Sequence, residues 1–105
     1  GNDVMYGGDT HDTMYGDAGD DLLAGGIDDD ILCGGDGDDT LWGGSQDDEL
    51  YGDEGADTLE GSVGDDLHDG GADPGDADYC GPGTDTYNTS DDFVHISCED
   101  PLSNS

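Results

Sequence analysis

Residues 16–42 read GDAGDDLLA (16–24), GGIDDDILC (25–33) and GGDGDDTLW (34–42). Each of these nine-residue rows opens on glycine, carries aspartate in sixth place and has leucine in eighth. The same beat runs outward in both directions, the mark of a repeat architecture. Upstream lie GNDVMY (1–6), a partial row, and GGDTHDTMY (7–15); downstream lie GGSQDDELY (43–51), GDEGADTLE (52–60) and GSVGDDLHD (61–69). The sixth place holds Asp3, Asp12, Asp21, Asp30, Asp39, Asp48, Asp57 and Asp66. The eighth holds Met5, Met14, Leu23, Leu32, Leu41, Leu50 and Leu59, with His68 the exception. An extra residue near Asp73-Pro74 shifts the frame, after which two looser rows place Asp76 and Asp85 sixth.

Composition alone argues against a fold. Among 105 residues there are 30 acidic and no Lys or Arg, a formal charge of −30. Leu, Ile, Val and Phe together supply 15 residues, and so small an apolar share with so large a net charge is the signature of disorder. Side-chain ion pairs are possible only through histidine. Nucleic acid and anionic membranes are excluded as partners, because both require a basic surface. Membrane insertion is excluded too, since no apolar run approaches the roughly 20 residues of a span. Something outside the chain must supply positive charge.

The repeat says what that is. Glycine at places one, two and four lets the backbone take φ > 0 and come close to a ligand. Turn carbonyls then gather around the sixth-place carboxylate. Oxygen-only coordination suits a hard cation such as Ca2+, which takes six to eight oxygens. No His or Cys recurs at ligand spacing, which disfavours softer metals. The candidate ligands are Asp3, Asp12, Asp21, Asp30, Asp39, Asp48, Asp57, Asp66, Asp76 and Asp85. Beside them stand the backbones of Gly7, Gly8, Gly16, Gly19, Gly25, Gly26, Gly34, Gly35, Gly37, Gly43, Gly44, Gly52 and Gly55.

The pattern G-G-x-G-x-D-x-U-x resembles the haemolysin-type, or repeats-in-toxin (RTX), family, closely over 1–69 and loosely over 70–88. The resemblance implies an all-β fold, a right-handed parallel β-roll or β-solenoid with two repeats per coil. The implied division is a roll over 1–88 (irregular from 70) and a capping segment with tail over 89–105. The implied cofactor is Ca2+, held between rows two apart. That pairs Asp3 with Asp21, Asp12 with Asp30, Asp21 with Asp39, Asp30 with Asp48, Asp39 with Asp57 and Asp48 with Asp66. Asp57 with Asp76 and Asp66 with Asp85 are two looser pairs, making about six to eight sites. A secreted or cell-surface location follows, because modules of this kind work at extracellular Ca2+ levels.

Alternate rows differ. Those opening at Gly16, Gly34 and Gly52 keep glycine in fourth place, whereas those opening at Gly7, Gly25 and Gly43 put Thr10, Asp28 and Gln46 there. Thr and Gln tolerate left-handed backbone poorly. The edge bearing them is therefore expected to bind Ca2+ with altered geometry or lower occupancy.

With place eight inward, places seven and nine face outward. One sheet then displays Val4/Tyr6, Leu22/Ala24, Thr40/Trp42 and Thr58/Glu60, and the other Thr13/Tyr15, Ile31/Cys33, Glu49/Tyr51 and Leu67/Asp69. These groups are candidates for lateral packing. The chain starts in mid-row, which fits a removed leader, a fragment of a longer protein, or a first coil covered by another copy. Tail residues 101–105 are candidates to complete a neighbour head-to-tail.

Towards the C-terminus, 92–98 alternate as a strand and read as a cap. Cys80 and Cys98 are expected to be bonded, leaving Cys33 over. Asn88-Thr89-Ser90 is a formal glycosylation sequon. His68 and Asp78 fall where apolar residues belong, so the last rows are expected to loosen. Catalysis is not indicated: no nucleophile motif accompanies the histidines, and Ca2+-bound carboxylates are not proton donors. The leading reading is a non-enzymatic extracellular Ca2+-binding structural protein, with a filament, matrix or surface-layer role. The alternative is the Ca2+-dependent folding and secretion module of a larger secreted enzyme or toxin.

Overall fold

A computed structural model describes residues 1–71, 75–83, 86–87 and 94–96. The expectations for Asp85, Asn88, Cys98 and the tail 101–105 fall outside the described residues.

Each nine-residue row yields one strand and one turn. The strands are β1 (Val4–Gly8), β2 (Thr13–Ala18), β3 (Leu22–Gly26), β4 (Ile31–Asp36), β5 (Thr40–Ser45) and β6 (Glu49–Glu54). They continue as β7 (Thr58–Val63), β8 (Leu67–Asp69), β9 (Ala77–Tyr79), β10 (Thr86–Tyr87) and β11 (Val94–Ile96). Odd-numbered strands form one sheet in the order β1-β3-β5-β7-β9-β11, and even-numbered strands form the other, β10-β8-β6-β4-β2. All pairings between them are parallel. The chain thus winds as a β-roll, two rows to a coil, as the repeat predicts.

Register follows the repeat. Met5 pairs with Leu23, Leu23 with Leu41 and Leu41 with Leu59 in one sheet; Met14 pairs with Leu32 and Leu32 with Leu50 in the other. The extra residue does not break the register, since β9 keeps step with β7 through Thr58↔Ala77 and Leu59↔Asp78. Val94–Ile96 extends the first sheet as its last parallel strand, Val94 opposite Ala77.

The core is a single file of side chains between the sheets. Leu23, Leu32, Leu41, Leu50 and Leu59 are wholly buried, Met14 nearly so, and Met5 packs against them. The outward columns are as the alternation predicts, with Tyr6 72% and Trp42 41% exposed. With so slender a core, each leucine counts. Leu41→Ala should destabilise the Ca2+-saturated roll by about 2–5 kcal/mol, the usual cost of a buried leucine cavity, read from urea unfolding.

The strands do shorten from row seven onward, to three residues in β8 and β9 and two in β10. His68 on β8 and Asp78 on β9 are both fully buried and face one another across the core, His68 Nδ1 against Asp78 Oδ1. A polar pair replaces the apolar contact because each group supplies the partner that burial would otherwise deny the other.

Candidate metal centre

The turns along the two edges of the roll stack as regularly as the strands. Within a turn, the first-place glycine lies against the sixth-place aspartate. A methyl group on Gly7, Gly16 or Gly43 would come within 2.5–2.6 Å of Oδ2 of Asp12, Asp21 or Asp48. Any side chain there would occupy the space that the carboxylate fills. This is the physical reason for glycine in first place.

The glycines in places two and four are left-handed. Gly8, Gly26, Gly35 and Gly44 have φ of 104–106° in second place, and Gly19, Gly37 and Gly55 have 123–128° in fourth. The carbonyl of one coil sits directly under the α-carbon of the next. A β-carbon on Gly37 would strike the Gly19 carbonyl, and one on Gly44 the Gly26 carbonyl. Backbone oxygens are thereby drawn into a column down each edge.

The sixth-place aspartates form a ladder. The backbone N–H of Asp12 donates to Oδ1 of Asp30 (2.8 Å), Asp30 to Asp48 (2.8 Å) and Asp48 to Asp66 (2.8 Å) on one edge. On the other, Asp3 donates to Asp21 (2.6 Å), Asp21 to Asp39 (2.7 Å), Asp39 to Asp57 (2.8 Å) and Asp57 to Asp76 (2.7 Å). Every aspartate pair read from the sequence within the described residues is therefore juxtaposed, Asp57 with Asp76 included. Asp85 falls outside them.

Asp21, Asp30, Asp39, Asp48 and Asp57 each use one carboxylate oxygen in this way, and the other is left over. Oδ2 of Asp12, Asp21, Asp30, Asp39, Asp48 and Asp57 is buried with no hydrogen-bond partner. Six such atoms are unsustainable as bare anions, since a buried charge must be paired or neutralised. The strain shows in the proton affinities. Burial pushes the Asp48 and Asp57 carboxyls up to about 7, and raises Asp30 and Asp39 in the same direction. The N–H from the adjacent coil opposes the rise, and neighbouring carboxylates add to it. Orphaned anionic oxygens beside stacked carbonyls fit a hard divalent cation.

A second ladder, one place earlier, is not foreseen by the repeat pattern. The N–H of Asp38 donates to Oδ1 of Asp20, and Ala56 to Asp38. On the other edge Asp47 donates to Asp29, and Asp65 to Asp47. It starts at Asn2, whose Oδ1 accepts from Asp20, and at His11, whose Nδ1 lies against both the carbonyl (2.9 Å) and the N–H (3.2 Å) of Asp29. This ladder runs opposite to the first: here each coil accepts from the one that follows. Fifth place varies among Asp, Asn, His and Ala because any short acceptor serves, and the last member needs no side chain. The signal was present as a preference for Asx residues, which commonly bond nearby backbone.

Cys80 is disulfide-bonded, as expected of it; its expected partner, Cys98, is outside the described residues. Cys33 is free and half-buried on the outer face of β4. Burial pushes its thiol up, with Asp53 and Glu49 adding to the effect, so it stays protonated at neutral pH and is a poor nucleophile.

Against protein-family models the chain matches the RTX calcium-binding nonapeptide repeat, in four copies, over residues 1–32 and 33–67. The chain belongs to this family. The RTX roll is a calcium-binding structural fold rather than a catalytic one. No curated protein and no solved structure matches the chain. No helix among the described residues is long and apolar enough to cross a membrane.

Proposed function

We propose that this RTX chain is a non-enzymatic extracellular structural protein that folds on binding Ca2+. The sixth-place aspartates, Asp3 to Asp76 among the described residues, with Asp85 as a further candidate, serve as ligands together with the turn carbonyls of the glycines named above. Six ions would bring the charge of −30 to −18, and eight to −14. The observation that carries this reading is the row of buried, partnerless Oδ2 atoms at Asp12, Asp21, Asp30, Asp39, Asp48 and Asp57. They demand positive charge in a chain without Lys or Arg. Bound Ca2+ supplies that charge. The chain's part is to hold one carboxylate oxygen fixed by the adjacent coil's N–H, so that the second faces the turn.

Apolar and aromatic groups on the outer faces, Val4, Tyr6, Tyr15 and Trp42, support a role in assembly with copies of itself, as a filament, matrix or surface-layer component. The alternative, a folding and secretion module of a larger exported protein, draws on the same sites. Circular dichroism during a Ca2+ titration, with Mg2+ as control, tests the folding reading. β-Sheet signal should grow with Ca2+ and not with equal Mg2+, whose octahedral demand this carbonyl-rich site does not meet. Full β signal in Ca2+-free buffer at neutral pH would refute it.

A further inference from the structure

The two edges of the roll are not chemically alike, and the difference traces to fourth place. Where that residue is glycine, its N–H reaches the third-place carbonyl of the following coil: Gly19 to Asp36 and Gly37 to Glu54, each 2.9 Å. At Asp28 no corresponding bond is made among the described residues, whereas at Gln46 the third-place pairing persists, Ser45 opposite Val63. Their φ is 80°, against 123–128° for Gly19, Gly37 and Gly55.

The cause is steric. At the glycine angle a β-carbon would run into the fourth-place carbonyl stacked against it, as it would at Gly37 and Gly55. Asp28 and Gln46 escape by rotating, which at Asp28 also withdraws the N–H. Thr10 stays out of the left-handed region altogether, as its branched side chain demands. Gln46 does adopt it, contrary to the expectation from its side chain.

Gly64 is the internal control. It lies on the same edge as Asp28 and Gln46, yet has φ 131° and donates to Pro82 (3.3 Å), like the glycines of the opposite edge. Residue type therefore sets the turn, not the edge. Second place varies too: Asp17, Asp53 and Ser62 have φ of 70–74°. There the strand pairing is kept, with Asp17 opposite Gly35, Gly35 opposite Asp53 and Gly44 opposite Ser62.

We infer that fourth place divides the Ca2+ ladder into two classes of site. This rests on the calcium reading above and refines it. Turns with Asp28 or Gln46 hold their ions loosely; turns with Gly19, Gly37 or Gly55 hold them tightly. The rotation of φ from 123–128° to 80° turns the fourth-place peptide relative to the stacked carbonyls that would face the ion, and at Asp28 the missing inter-coil hydrogen bond removes a further restraint. Together these correspond to release roughly tenfold faster, the equivalent of about 1.4 kcal/mol.

The test loads the full chain with Ca2+ and mixes it with a fluorescent chelator in a stopped-flow instrument. Two phases are expected, about tenfold apart. The double variant Asp28→Gly, Gln46→Gly should lose most of the fast phase. Asp28→Asn with Gln46→Asn, which keeps both β-carbons and removes the charge, should retain it. Circular dichroism confirms that each variant is folded before mixing. A single phase in the parent chain, or a fast phase untouched by glycine, overturns the inference and leaves the calcium reading standing. Failure of the chain to load Ca2+ at all defeats that reading instead.

Discussion

Stripped of calcium by a chelating resin, the chain should be unfolded at pH 7.5 and should regain β-sheet as the pH is lowered towards 4. The carboxyls of Asp48 and Asp57 stand at about 7 in the metal-free roll, against about 3.9 in an unfolded chain. A folded pKa raised above the unfolded one means that the metal-free roll binds protons the unfolded chain does not. Its contribution is complete below the unfolded value and is lost as the pH climbs through the folded one, so the window is about 4 to 7. Asp30 and Asp39 move in the same direction. Protons are in this sense crude substitutes for Ca2+: they neutralise the buried Oδ2 atoms without bridging them to carbonyls. Far-ultraviolet circular dichroism against pH in Ca2+-free buffer checks this. A signal that stays flat from pH 7.5 to 4, or a Ca2+-free chain already folded at pH 7.5, would show that those oxygens are not what forbids the metal-free fold. With Ca2+ saturating, the same scan should show the reverse, the ions being displaced as the ligands protonate.

The second large effect separates the two aspartate ladders. Asp39→Ala removes the acceptor of the buried Asp21 N–H and the Oδ2 facing Gly34. An unsatisfied buried N–H alone costs about 1–3 kcal/mol, and the lost ligand adds the binding energy of the site. The variant should bind at least one ion fewer by isothermal titration calorimetry and need several-fold more Ca2+ to fold. Asp38→Ala, one residue away, removes only the exposed acceptor of Ala56 N–H. Its effect should stay within about 1 kcal/mol, the net worth of an ordinary hydrogen bond, with the ion count unchanged. Equal effects of the two substitutions would mean that sixth place is a cap like fifth, not a ligand.

The roll, its inward leucines and the stacked sixth-place aspartates were legible because each depends on spacing alone. A side chain at place six or eight meets its own kind one coil away, so identity at a fixed interval already states the contact. The fifth-place ladder was not legible in that way. One partner is always backbone, which leaves no mark on the sequence, and the side chain varies from Asn2 to His11 to Asp29. Gln46 misled because propensity speaks of an isolated turn, whereas here the neighbouring coils impose the conformation. The His68–Asp78 pair was hidden because the two come from adjacent rows and oppose each other across the sheets. Each alone looked like a defect in the leucine file; together they complement one another.

The hydrogen bonds of the sixth-place ladder join residues eighteen apart, or nineteen across the extra residue. The fold therefore has the symmetry of a translation, and its length is a free variable. Cutting out eighteen residues would remove one coil and bring its former neighbours together with every contact remade between equivalent groups. Cutting out nine would not. It would exchange the two sheets beyond the cut and seat turns built on Asp28 or Gln46 against turns built on Gly19 or Gly37. Variants of this chain should thus come in lengths that step by whole coils, interchangeable in the middle and particular only at the ends.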